Sequence, residues 1–116
     1  MVNRSKAKGT AAETAVVNYL REQGFTRVER RTLSGSADKG DIAGIDGTVI
    51  EVKAAKELKL GPWVEEANIE AANAGVHTGV VWIKRRLFTD PARWFVVMDG
   101  ETYVGYLHSR EEAGGP

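Results

Sequence analysis

Residues 40–53 read Gly-Asp-Ile-Ala-Gly-Ile-Asp-Gly-Thr-Val-Ile-Glu-Val-Lys, and the folding of this stretch decides the architecture. From Thr48 to Ala54 the side chains alternate as in a strand, with Val49, Glu51 and Lys53 on one face and Ile50, Val52 and Ala54 on the other. Asp41 to Gly44 reads as a second strand, and Ile45-Asp46-Gly47 between the two predicts a hairpin. Two registers are open. A two-residue turn at Asp46-Gly47 puts Asp41 on the face opposite Glu51. A three-residue loop, with a left-handed Gly47 closing a type I turn, pairs Gly44 with Thr48 and sets Asp41 across from Glu51.

Upstream, Thr10 and Glu13 have the spacing of a capping box, and the apolar-periodic run AAETAVVNYLREQ ends at Gly24, which predicts a first helix. Phe25 to Leu33 reads as a strand, followed by a polar loop from Ser34 to Gly40. Downstream, WVEEANIEAANAG carries Val64, Ala67, Ile69 and Ala71 at helical spacing and stops at Gly75. Thr78 to Ile83 is a strand apolar enough to be covered on both faces. Trp94 to Met98 is another, before an Asp99-Gly100 turn and a short fraying helix from Glu101. The order α-β-β-β-α-β-β-α predicts an α/β fold, a mixed sheet flanked by helices.

The chain has 116 residues, 42% hydrophobic and 28% charged, the balance of one domain over 1–116 with a basic arm at 1–8 and a flexible tail at 111–116. There is no cysteine, which excludes disulfides and thiolate metal sites and fits a reducing cytoplasm. No apolar run reaches the roughly 20 residues of a membrane span, and the start MVNRSKAKGT is too basic and polar for a signal peptide. The formal charge is zero but polarised: residues 1–59 hold 11 Lys+Arg against 8 Asp+Glu, a balance of +3, so the remainder carries −3.

Charged residues break the apolar pattern in two places. Glu13 shares a helical face with Val16, Val17 and Leu20, so it is either the capping-box glutamate or a carboxylate held at a site. Glu51 and Lys53 interrupt a strand of branched apolar residues. They are an exposed ion pair if the strand faces solvent, and groups in need of a use if it is buried. In the three-residue register Asp41 and Glu51 face each other and repel unless a cation lies between them. Hard oxygen ligands suit Mg²⁺, with Mn²⁺ as a substitute. Such an ion, with Lys53 on the same face, points to hydrolysis of a phosphodiester.

Glu13, Gly40-Asp41-Ile42 and Glu51-Val52-Lys53, in this order and on these elements, resemble the PD-(D/E)XK nuclease superfamily, and within it the archaeal-type Holliday junction resolvases and their phage-encoded relatives. No proline precedes Asp41, a departure from the motif's first letter. The resemblance implies a restriction-endonuclease-like fold. It makes Asp41 and Glu51 the metal carboxylates, the Val52 carbonyl a further ligand, Lys53 the catalytic lysine and Glu13 a carboxylate assisting the metal. It also implies a catalytic serine in the preceding loop, Ser36 or Ser34.

Clustered cations supply a phosphate-binding surface: Arg4, Lys6 and Lys8; Arg27, Arg30 and Arg31; Lys39; Lys53, Lys56 and Lys59; and Lys84-Arg85-Arg86. None suggests base readout, so recognition is expected to be of DNA shape. His77 and His108 lack ligand-like spacing, and Trp63, Trp82 and Trp94 read as core or interface. The expectation is a Mg²⁺-dependent endonuclease on four-way or other branched DNA, a homodimer because a two-fold junction needs two cuts, with no small-molecule cofactor and no membrane partner. It would work in the cytoplasm of a prokaryote or a phage-infected host. The alternatives are a nuclease of the same fold acting on flaps, nicks or duplex ends, and a non-catalytic DNA-binding module.

Overall fold

The computed structural model describes residues 4–31 and 40–114, with the side chains of residues 4, 5, 113 and 114 left aside. Ser34, Ser36 and Lys39 lie outside the described residues. Helix α1 (Arg4–Glu22) precedes strands β1 (Glu29–Arg30), β2 (Ile42–Ala43) and β3 (Thr48–Lys53); helix α2 (Leu60–Ala74) leads to β4 (Thr78–Ile83); a 3-10 turn at Pro91–Arg93 precedes β5 (Phe95–Val97) and helix α3 (Gly100–Gly114). The five strands form one mixed sheet in the order β1-β2-β3-β4-β5, antiparallel except for the parallel pair β3 and β4 that α2 connects. This is the restriction-endonuclease-like α/β architecture the sequence implied.

The sheet separates two apolar layers. On one face Ala12, Val16, Val17 and Leu20 of α1 pack on Ile50, Val52 and Val80, together with Val28, Ile42 and Trp94. On the other, Trp63 and Ala67 of α2 pack on Val81 and Ile83. Strand β3 sits in the middle, so both of its faces are covered, and Glu51 is only 4% exposed. Its charge is therefore a core charge, and the reading of an exposed ion pair falls away.

Several element boundaries differ from the sequence reading. α1 begins at Arg4, two turns before Thr10, so Thr10 and Glu13 are interior to the helix and form no capping box. Arg4, Lys6 and Lys8 accordingly sit on helical backbone. Among the described residues the strand expected over 25–33 is limited to Glu29–Arg30, with Phe25 50% exposed; Thr32 and Leu33 lie outside the described residues. α2 begins at Leu60, with Pro62 in its first turn, where a missing N–H costs nothing. Asp99 forms no simple turn: its Oδ1 accepts from the Thr102 amide at 2.8 Å, as an N-cap does, and α3 runs for 15 residues from there.

Candidate active site

The hairpin adopts the three-residue register. Ile42 pairs with Ile50, which carries Gly44 opposite Thr48, and Gly47 closes the loop at φ 73°. At the other end the Asp41 amide also donates to the Ile50 carbonyl, at 3.0 Å, so Asp41 and Ile42 both face Ile50 in a β-bulge. The bulge turns the Asp41 side chain along the strand, where Oδ2 accepts from the Val52 amide at 2.8 Å. Gly40 makes this path possible. Its φ is +92°, and a Cβ there would lie 2.6 Å from Val49 Cγ1 and 3.3 Å from Glu70 Oε2.

The carboxyls of Asp41 and Glu70 both neighbour Glu51 and disfavour its ionisation. Acids so grouped call for a shared proton or cation. Burial, then Glu70 and Asp41, push the Glu51 carboxyl up to about 12 from its ordinary value. Glu51 Oε2 is buried and accepts from no N–H or O–H among the described residues. Lys53 supplies partial compensation, with Nζ at 3.9 Å from Glu51 and 2.9 Å from Glu66 on α2. Burial would lower the Lys53 pKa, but the bond to Glu66 and the neighbouring carboxylates raise it above the usual lysine value. Lys53 thus sits among carboxylates that favour its ammonium form, on the same face of the strand as Glu51.

Glu13 projects from α1 toward the same end of the sheet. Burial and the Asp41 charge raise its pKa, opposed by Arg30, whose Nε donates to Glu13 Oε1 at 3.1 Å. The hydrogen bond occupies one oxygen of Glu13 and commits Arg30 to the site's edge.

Sequence reasoning missed Glu66 and Glu70. One oxygen from each of Glu51, Glu66 and Glu70 lies within 4.8 Å of the others. The signal was present: Trp63, Ala67, Glu70 and Ala71 form the buried stripe of α2, whereas Ile69, counted in that stripe from the sequence, is 62% exposed. Glu70 breaks its helical face as Glu13 breaks that of α1.

The cations divide. Lys8, Lys56, Lys84 and Arg86, drawn from three separate segments, line one cavity of about 410 Å³ with Ala54 and Ala55. It opens at the end of β3, where Ala54 follows Lys53 and the Lys84 amide donates to the Lys53 carbonyl at 2.8 Å. Arg85 is not in it; its guanidinium lies 3.8 Å from the Phe88 ring centre and 5.0 Å from that of Phe95. Arg31 is half-buried, its Nε meeting no acceptor among the described residues. His77 and His108 are exposed, and Trp63 and Trp94 are buried in the two apolar layers.

A mixed sheet whose central hairpin gathers an aspartate, a glutamate and a lysine defines the class: a nuclease of the PD-(D/E)XK kind. Within that class, the profile of the archaeal Holliday junction resolvase (Hjc) family matches residues 4–114, and the chain belongs to this family. Neither the curated proteins nor the solved structures searched return a match.

Proposed function

We propose that the chain is a Mg²⁺-dependent endonuclease that resolves four-way DNA junctions, with Asp41, Glu51, Lys53 and Glu13 as its active site. The observation that carries this reading is the buried Glu51 Oε2 without an N–H or O–H donor, beside the Asp41 carboxyl. An oxygen-only donor set whose buried carboxyl is costly to ionise without a cation fits a hard divalent ion. Asp41, Glu51 and the Val52 carbonyl would hold it. When bound, Mg²⁺ supplies charge neutralisation at the phosphodiester and a more acidic water.

The chain's own groups do the rest. Lys53, as the ammonium that its neighbouring carboxylates favour, donates hydrogen bonds to the phosphoryl oxygens as negative charge builds on them. Val52 N–H orients Asp41, and Arg30 orients Glu13. Lys8, Lys56, Lys84 and Arg86 bind the backbone of an arm entering their cavity. A second copy would supply the second cut; exposed apolar residues on edge strand β5 (Phe95 and Val96) and on α3 (Tyr103, Val104 and Tyr106), each 41% exposed or more, support such a partner. No described helix is long and apolar enough to cross a membrane, and the cysteine-free chain suits the cytoplasm.

The test is cleavage of a four-way junction against a matched duplex in Mg²⁺, with Asp41→Asn alongside. The expected result is paired symmetric cuts in the junction, little cutting of the duplex, and loss of cutting without loss of binding in Asp41→Asn. Equal cutting of both substrates would favour a less selective nuclease of the same fold. Wild-type rates in Asp41→Asn would overturn the site.

A further inference from the structure

Lys84, Arg85 and Arg86 follow β4, and the next residue is Leu87. The Phe88 amide donates to the Arg85 carbonyl at 3.1 Å, closing a β-turn with Leu87 at its third position. Leu87 has a φ of 71° and Arg86 is not left-handed, which makes the turn type II. That position ordinarily takes glycine, and a larger side chain there strains the backbone. Among the described residues Leu87 is the one non-glycine with a positive φ. Its side chain is also 92% exposed, the most exposed large apolar group among the described residues. Neither feature serves folding, because glycine would close the same turn unstrained and present no apolar surface to water. The stem beneath the tip is tied down: the Phe88 carbonyl accepts from Nε1 of buried Trp94 at 2.7 Å, and the Arg85 guanidinium covers the Phe88 ring at 3.8 Å. Leu87 is thus a fixed apolar point outside both core layers.

The surroundings of the tip identify its partner. Lys84 and Arg86 line the four-cation cavity, so a phosphate backbone seated there passes beside Leu87. Lys53 pairs with Ile83, four residues before Leu87, so the Leu87 backbone lies at most about 19 Å from that of Lys53. This is the span of about five or six stacked nucleotides. We propose that Leu87 is a wedge for unstacked bases: with Lys84 and Arg86 on the backbone, it enters an opened base step at the branch point and makes the chain prefer branched over continuous DNA. This rests on the reading of the chain as a junction nuclease. Inserting an apolar side chain between bases costs their stacking, and the cost is smallest where a crossover has already interrupted the stack. On a continuous duplex the same tip meets stacked bases and gains nothing. Selectivity for a branch then arises without any contact to base edges.

The experiment uses the full chain, with Ca²⁺ in place of Mg²⁺, on a four-way junction carrying 2-aminopurine at the branch point and on a matched duplex. Fluorescence of that base reports unstacking, and anisotropy reports affinity. Wild type, Leu87→Gly and Leu87→Met are compared. Wild type should raise the 2-aminopurine fluorescence of the junction and not of the duplex. Leu87→Gly should abolish that rise and lower the affinity ratio of junction to duplex by about tenfold or more, with duplex affinity unchanged. Its Tm should hold or rise, since glycine suits a φ of 71°, so lost discrimination does not come from lost folding. Leu87→Met, still long and apolar, should keep most of the rise. A wild-type rise and ratio in Leu87→Gly would overturn the wedge while leaving Mg²⁺-dependent junction cutting, and its loss in Asp41→Asn, in place. Sedimentation gives a second check: if Leu87→Gly dissociates a dimer, Leu87 contacts a second copy and the wedge is overturned. Wild-type protein that binds and cuts junction and duplex alike would overturn the junction reading and the wedge together.

Discussion

Gly79 sets how closely α2 approaches the sheet, and Gly79→Ala measures how far the site depends on it. A Cβ at position 79 would fall 2.8 Å from the Ala67 carbonyl carbon, closer still to its oxygen, and 3.3 Å from Ala71 Cβ. Unstrained carbon contacts begin at about 3.5 Å, so α2 must recede by about 0.7 Å at Ala67. Glu66 is the preceding residue and Glu70 lies one turn on, so both carboxylates recede from Glu51. Overpacking of this kind costs about 1–3 kcal/mol, or roughly 5–15 °C in Tm for a domain of this size. Glu66 holds Lys53 Nζ at 2.9 Å, so its retreat shifts that ammonium, and because a misplacement approaching 1 Å at a reacting centre lowers the rate by up to about 100-fold, junction cutting well below Tm should fall by about tenfold or more. The matched control is Gly105→Ala in α3, where a Cβ meets nothing within 4 Å. Replacing that mid-helix glycine should raise stability by about 0.5–1 kcal/mol and leave cutting alone. Thermal melts and single-turnover cleavage at 25 °C give both numbers. Unchanged Tm and unchanged cutting in Gly79→Ala would refute the argument that close packing of α2 holds the site.

Two further outcomes follow from electrostatics. Because the folded Glu51 carboxyl sits at about 12 against an ordinary 4.5, the folded chain binds its proton more tightly than the unfolded chain does. That stability is fully present below about pH 4.5 and is lost as pH rises toward the folded value. The Tm of metal-free protein should therefore fall from pH 5 to pH 9. Mg²⁺ should reverse much of the fall and Glu51→Gln should flatten it; a flat wild-type profile in calorimetry would contradict the buried cluster. In the basic cavity, replacing both Lys84 and Arg86 with Ala removes two of its four cations. The slope of log K against log salt should then shrink by about 2 for junction and duplex alike, read by fluorescence anisotropy with Ca²⁺ in place of Mg²⁺. An unchanged slope would place the DNA elsewhere.

What was legible in the sequence was local. Ile45-Asp46-Gly47 encodes a hairpin in its own residues but leaves two registers open; the approach of Asp41 to Glu51 was legible only as the consequence of one of them, the one the structure adopts. The start of α1 could not: the Thr10 to Glu13 spacing permits a cap but does not impose one, and the Lys, Ala and Arg residues before it favour helix well enough to extend it to Arg4. The β1 strand does not begin at Phe25 because Phe25, though apolar, finds no place in either layer. Glu70 was missed because α2 was read by its apolar residues alone, and the face they define is shifted from the one the sheet covers. Three elements each carry one carboxylate where their pattern calls for an apolar residue: Glu13 on α1, Glu51 on β3 and Glu70 on α2. Each alone has an ordinary explanation, as a cap, an ion pair or a misjudged face. Folding makes Glu51 and Glu70 neighbours and sets Glu13 in the field of Asp41, which itself neighbours Glu51. Independent exceptions to independent patterns have no structural reason to converge, since each buried acid beside another lowers stability. Their convergence is thus a stronger argument for a cation-binding active site than any of the motifs that first suggested one.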